Sequence, residues 1–177
     1  MIEKGIPSEV MERIIFPEVE AGTPEEKIVF VNQMDTLLTK EQILTIMEEQ
    51  GCHKNKPTAE YMLKFEGKSI EERISLINAM DITEQPRYRL NNDGTLCIYW
   101  YYEENGKYIC VCPIMSKMKE TISLTFCGCC SGHVKYHAEN ILGVKLRLLE
   151  IVSSPLSSGG GNYCEHLFAI NKNENEE

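Results

Sequence analysis

The apolar period of this 177-residue chain changes near its middle, and that change limits the architectures open to it. Up to about residue 80, apolar side chains recur at helical spacing. From Leu96 onward they fall in β-branched and aromatic runs broken by turn residues. Ser8 to Phe16 reads as a short amphipathic piece stopped by Pro17. Thr23-Pro24-Glu25-Glu26 places proline at a first helical position and acids where the helix dipole favours them. Thr39-Lys40-Glu41-Gln42 is a capping box that opens a helix through Ile43, Ile46 and Met47, ending at Gly51. Pro57 opens another helix that stops near Gly67. Ser69-Ile70-Glu71-Glu72 is a second capping box, feeding Ile70, Ile74, Ile77 and Met80.

The second half predicts strands over 96–102 and 108–112, joined by the turn Glu103-Glu104-Asn105-Gly106, and a further strand over 121–126. A helix is predicted over 131–142, closed by Gly143, followed by strands over 144–152 and 163–170. The link between those last two holds Ser153-Ser154-Pro155 and Gly159-Gly160-Gly161 and reads as a turn; the polar tail after Asn171 is expected to fray. Helices first and neighbouring antiparallel strands second give an α+β class: a helical N-terminal half (1–84) packed on a C-terminal antiparallel sheet with one inserted helix (85–177). The boundary falls near 82–92, and the two halves are expected to form one compact unit.

Charge narrows the partners. With 18 Lys+Arg against 27 Asp+Glu the net charge is −9, so neither nucleic acid nor an anionic membrane surface is an expected partner. No apolar run approaches the roughly 20 residues that span a bilayer. P-loop, dinucleotide and nucleophile-elbow motifs are absent from the sequence. The first seven residues carry charges early and no apolar stretch, so no export signal is expected and the cytoplasm is the expected compartment. Against that background the eight cysteines, at 52, 97, 110, 112, 127, 129, 130 and 164, read as metal ligands or reactive thiols rather than disulfides.

Three cysteine clusters fall near predicted strand ends: Cys110-Val111-Cys112-Pro113, Cys127-Gly128-Cys129-Cys130 and Cys164-Glu165-His166. Residues two apart on a strand share a face, but their Cα atoms stand roughly 6.6 Å apart. Two thiolates on one zinc ion must approach within roughly 3.8 Å. Side chains must therefore converge or the backbone must bend, and Pro113 and Gly128 are residue types that allow a bend. Cys130, His133 and His137 share a helical stripe, without the glutamate that a metalloprotease needs after its first histidine. Glu150 alternates with Val144, Leu146 and Leu148, so it is either a buried carboxylate beside the thiols or is turned out at the strand end. Cys52 follows Gly51 and is expected to approach from the helical half, while Cys97 reads as structural. The tyrosines of 99–102 and Tyr108 fit a sheet core or an apolar pocket wall.

From Cys127 to Ile170 the chain resembles the small domain named for 4-vinyl reductase. The carrying residues are Cys127-Gly128-Cys129-Cys130-Ser131-Gly132-His133, Gly143-Val144, Glu150, Ser153-Ser154-Pro155-Leu156-Ser157-Ser158-Gly159-Gly160, and Cys164 with Phe168 and Ile170. Cys110-Val111-Cys112-Pro113 is similar to an addition seen in related uncharacterised bacterial proteins. The resemblance covers roughly the last 80 residues. It implies a ligand-binding α+β fold, with small apolar ligands or cysteine-bound metal. By carry-over, Cys110, Cys112, Cys127, Cys129 and Cys164 are the metal positions; Glu150 and Cys52, read from their places in the pattern, are the candidate ligand-binding residues. Cys130 and His133 depart from the motif, which has a small polar residue and an aromatic one there. A looser similarity is to hydrolases of 2-aminothiazoline-4-carboxylate, which also end in a Gly-rich turn and a Cys-containing strand.

The leading expectation is a small-molecule or metal (zinc) binding or sensor module with a cysteine-lined site, its assembly open between monomer and homodimer. The rival is an enzyme whose nucleophile is Cys127 or Cys129, its pKa lowered by a helix N-terminus and its proton taken by His133. The remaining expectation is that the thiols only fill a core or form a redox-sensitive pair.

Overall fold

The computed structural model describes residues 6–14, 23–51, 54–80, 85–112, 115 and 120–171. Five helices come first: α1 (Ser8–Met11), α2 (Pro24–Leu37), α3 (Lys40–Met47), α4 (Ala59–Leu63) and α5 (Ile70–Ala79). Their starts follow local chemistry. Thr23, Thr39 and Ser69 each accept from the backbone N–H three residues on, and Glu26, Gln42 and Glu72 return the bond to the cap N–H. The third helix ends at Met47, short of Gly51, which has a φ of 138° and whose Cβ, were there one, would stand 2.7 Å from His133 N.

Strands β1 (Arg87–Leu90), β2 (Thr95–Trp100), β5 (Lys145–Ser153) and β6 (Cys164–Asn171) form one antiparallel sheet in the order β1-β2-β6-β5. The short hairpin β3 (Glu103–Glu104) and β4 (Lys107–Tyr108) stands apart, its Asn105-Gly106 turn at positive φ on both residues. A 3₁₀ turn, Leu124–Cys127, leads into α6 (Gly128–Leu142), and α7 (Pro155–Ser158) lies between β5 and β6. The architecture is α+β, with helices first and the sheet after.

Three local expectations fail for physical reasons. Residues 109–112 leave the hairpin as irregular chain after Ile109 N donates to the Tyr102 carbonyl. The β-branched run 121–126 forms no strand; Ser123 caps a 3₁₀ turn instead. The predicted turn after Ser153 contains α7, capped by Ser154. Both edges of the sheet are finished by side chains. On β1 the Asn78 side chain both donates to the Tyr88 carbonyl and accepts from its N–H, at 2.7 and 3.0 Å. On β5 the N–H groups of Leu146 and Leu148 donate to the Glu139 and Glu48 carboxylates, at 2.8 and 2.9 Å. Side chains thus occupy backbone groups that edge pairing would use.

The inner face of the sheet carries Tyr88, Ile98, His166 and Ile151 in one cross-strand row and Leu96, Phe168 and Leu148 in the next. Helix α6 covers this face with Ser131, Val134, Ala138, Ile141 and Leu142. Phe65, Ile74 and Ile77 of the helical half join the same core, so the boundary near 82–92 does not divide it. Fully buried phenylalanines such as Phe65 and Phe168 contribute on the order of 2–3 kcal/mol each.

Helix α3 meets α6 through glycines. A Cβ on Gly132 would stand 1.7 Å from the Gln50 carbonyl oxygen, and one on Gly128 would stand 2.4 Å from Met47 Cβ. Gly128, expected to bend the chain, instead begins a helix in which only glycine allows this contact.

Candidate thiol and imidazole site

Three separated segments bring cysteines to one place under the sheet. Because α6 begins at Gly128, Cys127, Cys130 and Ser131 share a helical face at spacings of 3 and 4. Strand alternation turns Cys164 inward with His166 and Phe168. The irregular stretch 109–112 supplies Cys110, buried with Met115, Ile122 and Leu156, and Cys112 at the margin of that cluster. Cys112 N donates to Cys110 Sγ at 3.4 Å, and the Cys112 and Cys130 thiols share a hydrogen bond. Cys130 lies within electrostatic reach of Cys164 and Cys127, and Cys164 within reach of Cys127, Cys110 and Cys112. All of these cysteines are free thiols.

Their environment opposes ionisation. Burial pushes Cys110 up to about 11 and Cys127 to about 12, a Ser154 hydrogen bond offsetting part of the latter shift. Cys130 is raised first by its hydrogen bond with Cys112 and then by burial; Cys164 is raised by burial and by Cys127. The expected depression of Cys127 by the helix N-terminus is therefore reversed. A helix terminus contributes about 0.3–1 kcal/mol, less than the cost of a desolvated thiolate among other thiols. These groups stay protonated unless a cation joins them.

A hydrogen-bonded chain runs from this cluster. Cys164 Sγ lies 3.3 Å from His166 Nε2, and His166 Nδ1 lies 2.7 Å from Ser131 Oγ. Ser131 Oγ also reaches the Cys127 carbonyl at 3.4 Å. Ser131 and His166 are fully buried, and burial lowers His166 to about 4, so its ring is neutral at pH 7. Trp100 meets the ring edge-on at a centroid distance of 6.0 Å.

Of the positions expected from sequence, Cys110, Cys112, Cys127 and Cys164 come together, and Cys130 joins them. Cys129 is half-buried in the first turn of α6 and is felt electrostatically by Cys127. His133 stands apart from the chain that holds Cys164. Its ring centroid lies 4.6 Å from that of His137, the planes tilted by 55°, and together with Trp100 it lines a groove of about 570 Å³. Glu150 is not a buried carboxylate. A register shift between Leu148 and Glu150 reverses the alternation and pairs Glu150 with Leu167. Its carboxylate is 47% exposed and bridges to Lys40 at 3.2 Å. Cys52 lies outside the described residues. Cys97 sits on the outer face, its Sγ 2.7 Å from Glu165 Oε1, and Glu165 in turn pairs with Arg89. Tyr99, Tyr101, Tyr108 and Tyr163 pack against one another in tilted or edge-on pairs away from the groove, which Trp100 lines.

Sequence reasoning misses Ser131 and gives His166 no role. The Cys-x-His spacing on a strand already places His166 beside Cys164. Ser131 becomes legible only from the start of α6 at Gly128. Among the described residues, no three of His, Cys, Asp or Glu stand in metal-holding geometry, and no helix is long and apolar enough to cross a membrane. Family models, curated proteins and solved structures return no match to this chain.

Proposed function

We propose that this protein binds a soft or borderline metal ion, zinc foremost, through thiolates drawn from Cys110, Cys112, Cys127, Cys130 and Cys164, and acts as a metal-dependent binding or sensor module. The observation that supports this reading is the convergence of thiols from three chain segments, most of them buried and none in a disulfide. Packing alone calls for no such concentration, and neutral thiols crowded together are what a thiolate site contains before a cation replaces its protons. Thiolate sulfur favours zinc and other soft ions over magnesium or calcium. The donor chemistry fits such an ion. Coordination requires side-chain rotation, because the thiols as they stand do not enclose one.

His166 has a defined part in this reading. With Cys164 protonated, its S–H donates to Nε2 and the Nδ1–H donates to Ser131 Oγ. With Cys164 ionised, the other tautomer applies: Nε2–H donates to the thiolate and the Ser131 hydroxyl donates to Nδ1. The chain reverses direction without moving an atom heavier than hydrogen.

The experiment is elemental analysis of protein purified without added metal or a histidine tag, with free thiols counted before and after denaturation. About one zinc per chain, with the clustered thiols shielded until denaturation, is the expected result. Absence of bound metal together with no uptake of added Zn²⁺ sinks the reading.

A second reading rests on the order Cys164, His166, Ser131, which is that of nucleophile, base and orienting group in a cysteine-dependent hydrolase. Burial of Cys164 opposes it, since a substrate must reach a sulfur only 4% exposed. One thiol alkylated far faster than the rest near neutral pH, mapped to Cys164, would favour this reading over the metal site.

A further inference from the structure

We propose that the groove between the approach to α4, the start of β1 and α6 binds a small aromatic carboxylic acid carrying an N–H or O–H donor on its ring. Its volume of about 570 Å³ falls within the range of small-ligand sites. Its apolar walls are Tyr61, Tyr88, Trp100, Val134 and Ile141, which suit a flat ring. Its polar groups are unusual for this chain. The protein carries 27 acids against 18 bases, yet among the described residues no carboxylate lines the groove. Lys56, His133 and His137 line it instead, and the two imidazole centroids lie 4.6 Å apart. Ammonium and imidazole N–H groups are the complement of a carboxylate.

One atom specifies the ligand further. Gln85 Oε1, in the groove lining, is the buried side-chain oxygen that has no hydrogen-bond partner among the described residues. A buried acceptor without a donor is costly, and a ligand donor would satisfy it. An aromatic acid with a ring amino or hydroxyl group meets all three demands: aromatic walls, N–H donors and an orphaned acceptor. This inference is independent of the thiol site, none of whose cysteines lines the groove, so either reading can fail alone.

The test uses the whole chain, as purified and again after chelator treatment, titrated calorimetrically with 4-aminobenzoate, benzoate and benzylamine. Trp100 is the only tryptophan, so its fluorescence reports whether benzoate enters this groove. The expected order is 4-aminobenzoate tighter than benzoate by several-fold, with benzylamine not binding measurably. Gln85→Leu should erase the difference between the two acids. The His133→Ala/His137→Ala pair should weaken both acids about tenfold, the scale of one lost charge-assisted hydrogen bond. Lys56→Ala, at an exposed position, should weaken them without any change in thermal midpoint and so serves if the histidine variant misfolds. Benzylamine binding as tightly as benzoate, no saturable binding of either acid, or acid binding unchanged in Lys56→Ala and the histidine pair would each overturn the proposal.

Discussion

The two faces of strands β2 and β6 each bury cysteine, in opposite ways. On the outer face Cys97 is a single thiol, 1% exposed, whose proton has one acceptor in Glu165; that carboxylate is held by Arg89. Burial, with the Glu165 hydrogen bond adding to it, pushes this thiol up to about 12, against the smaller opposing pull of the Arg89 charge. On the inner face Cys164 is surrounded by further thiols and by an imidazole. Burial alone therefore does not separate a structural cysteine from a functional one. The separation lies in what surrounds the sulfur: one satisfied hydrogen bond in the first case, several competing thiols in the second.

The sharpest way to break this contrast is to remove thiols from each face. Cys127→Ser combined with Cys164→Ser should abolish stoichiometric zinc, read by elemental analysis, whereas Cys97→Ser should leave it intact. Equal metal content in both proteins would remove the distinction. Next in size, Gly132→Ala should cost about 3 kcal/mol or more in chemical denaturation, because its Cβ would fall 1.7 Å from the Gln50 carbonyl and drive α6 from α3.

An effect of similar scale is expected from pH. His166 titrates at about 4 when folded and near 6.5 when unfolded, so the unfolded chain takes up the proton first as pH falls. The metal-free protein should thus hold full stability above about pH 6.5. It should lose on the order of 3 kcal/mol as pH falls from there to about 4, from this group alone. A flat denaturation midpoint across that window would show that the ring is not buried in neutral form.

Much of this arrangement is legible in the residue pattern alone. The capping boxes at Thr39 and Ser69, the Gly143 helix stop and the strands around 96–100, 145–152 and 164–170 follow from local pattern. What is illegible has non-local causes. Arg87–Leu90 is a four-residue strand whose pattern is too short to stand out, and it is held by Asn78 from α5. Period-two alternation cannot register the bulge that moves Glu150 to solvent. Cys127-Gly128-Cys129-Cys130 read as strand pairs Cys127 with Cys129; read as helix start it pairs Cys127 with Cys130. The close approach of Met47 and Gln50 to Gly128 and Gly132 decides between them, and that contact between halves falls within no local window.

Two smaller effects refine the comparison. Ser131→Ala should weaken zinc binding by about tenfold, measured by competition with a chromophoric chelator, because it removes the group that fixes the His166 tautomer. Cys97→Ser should cost only about 1 kcal/mol in stability, since a hydroxyl can still donate to Glu165. If the serine variant at 97 lost more stability than Ser131→Ala lost metal affinity, the outer thiol would be the more demanding of the two.

The side chains that finish the edges of the sheet reach beyond folding. Asn78 on β1, with Glu48 and Glu139 on β5, already supplies the partners that a neighbouring chain would have to offer. Two copies cannot join rim to rim into one continuous ribbon without first giving up those bonds. Both rims of the sheet are thus protected against the strand addition from which open-ended fibres grow.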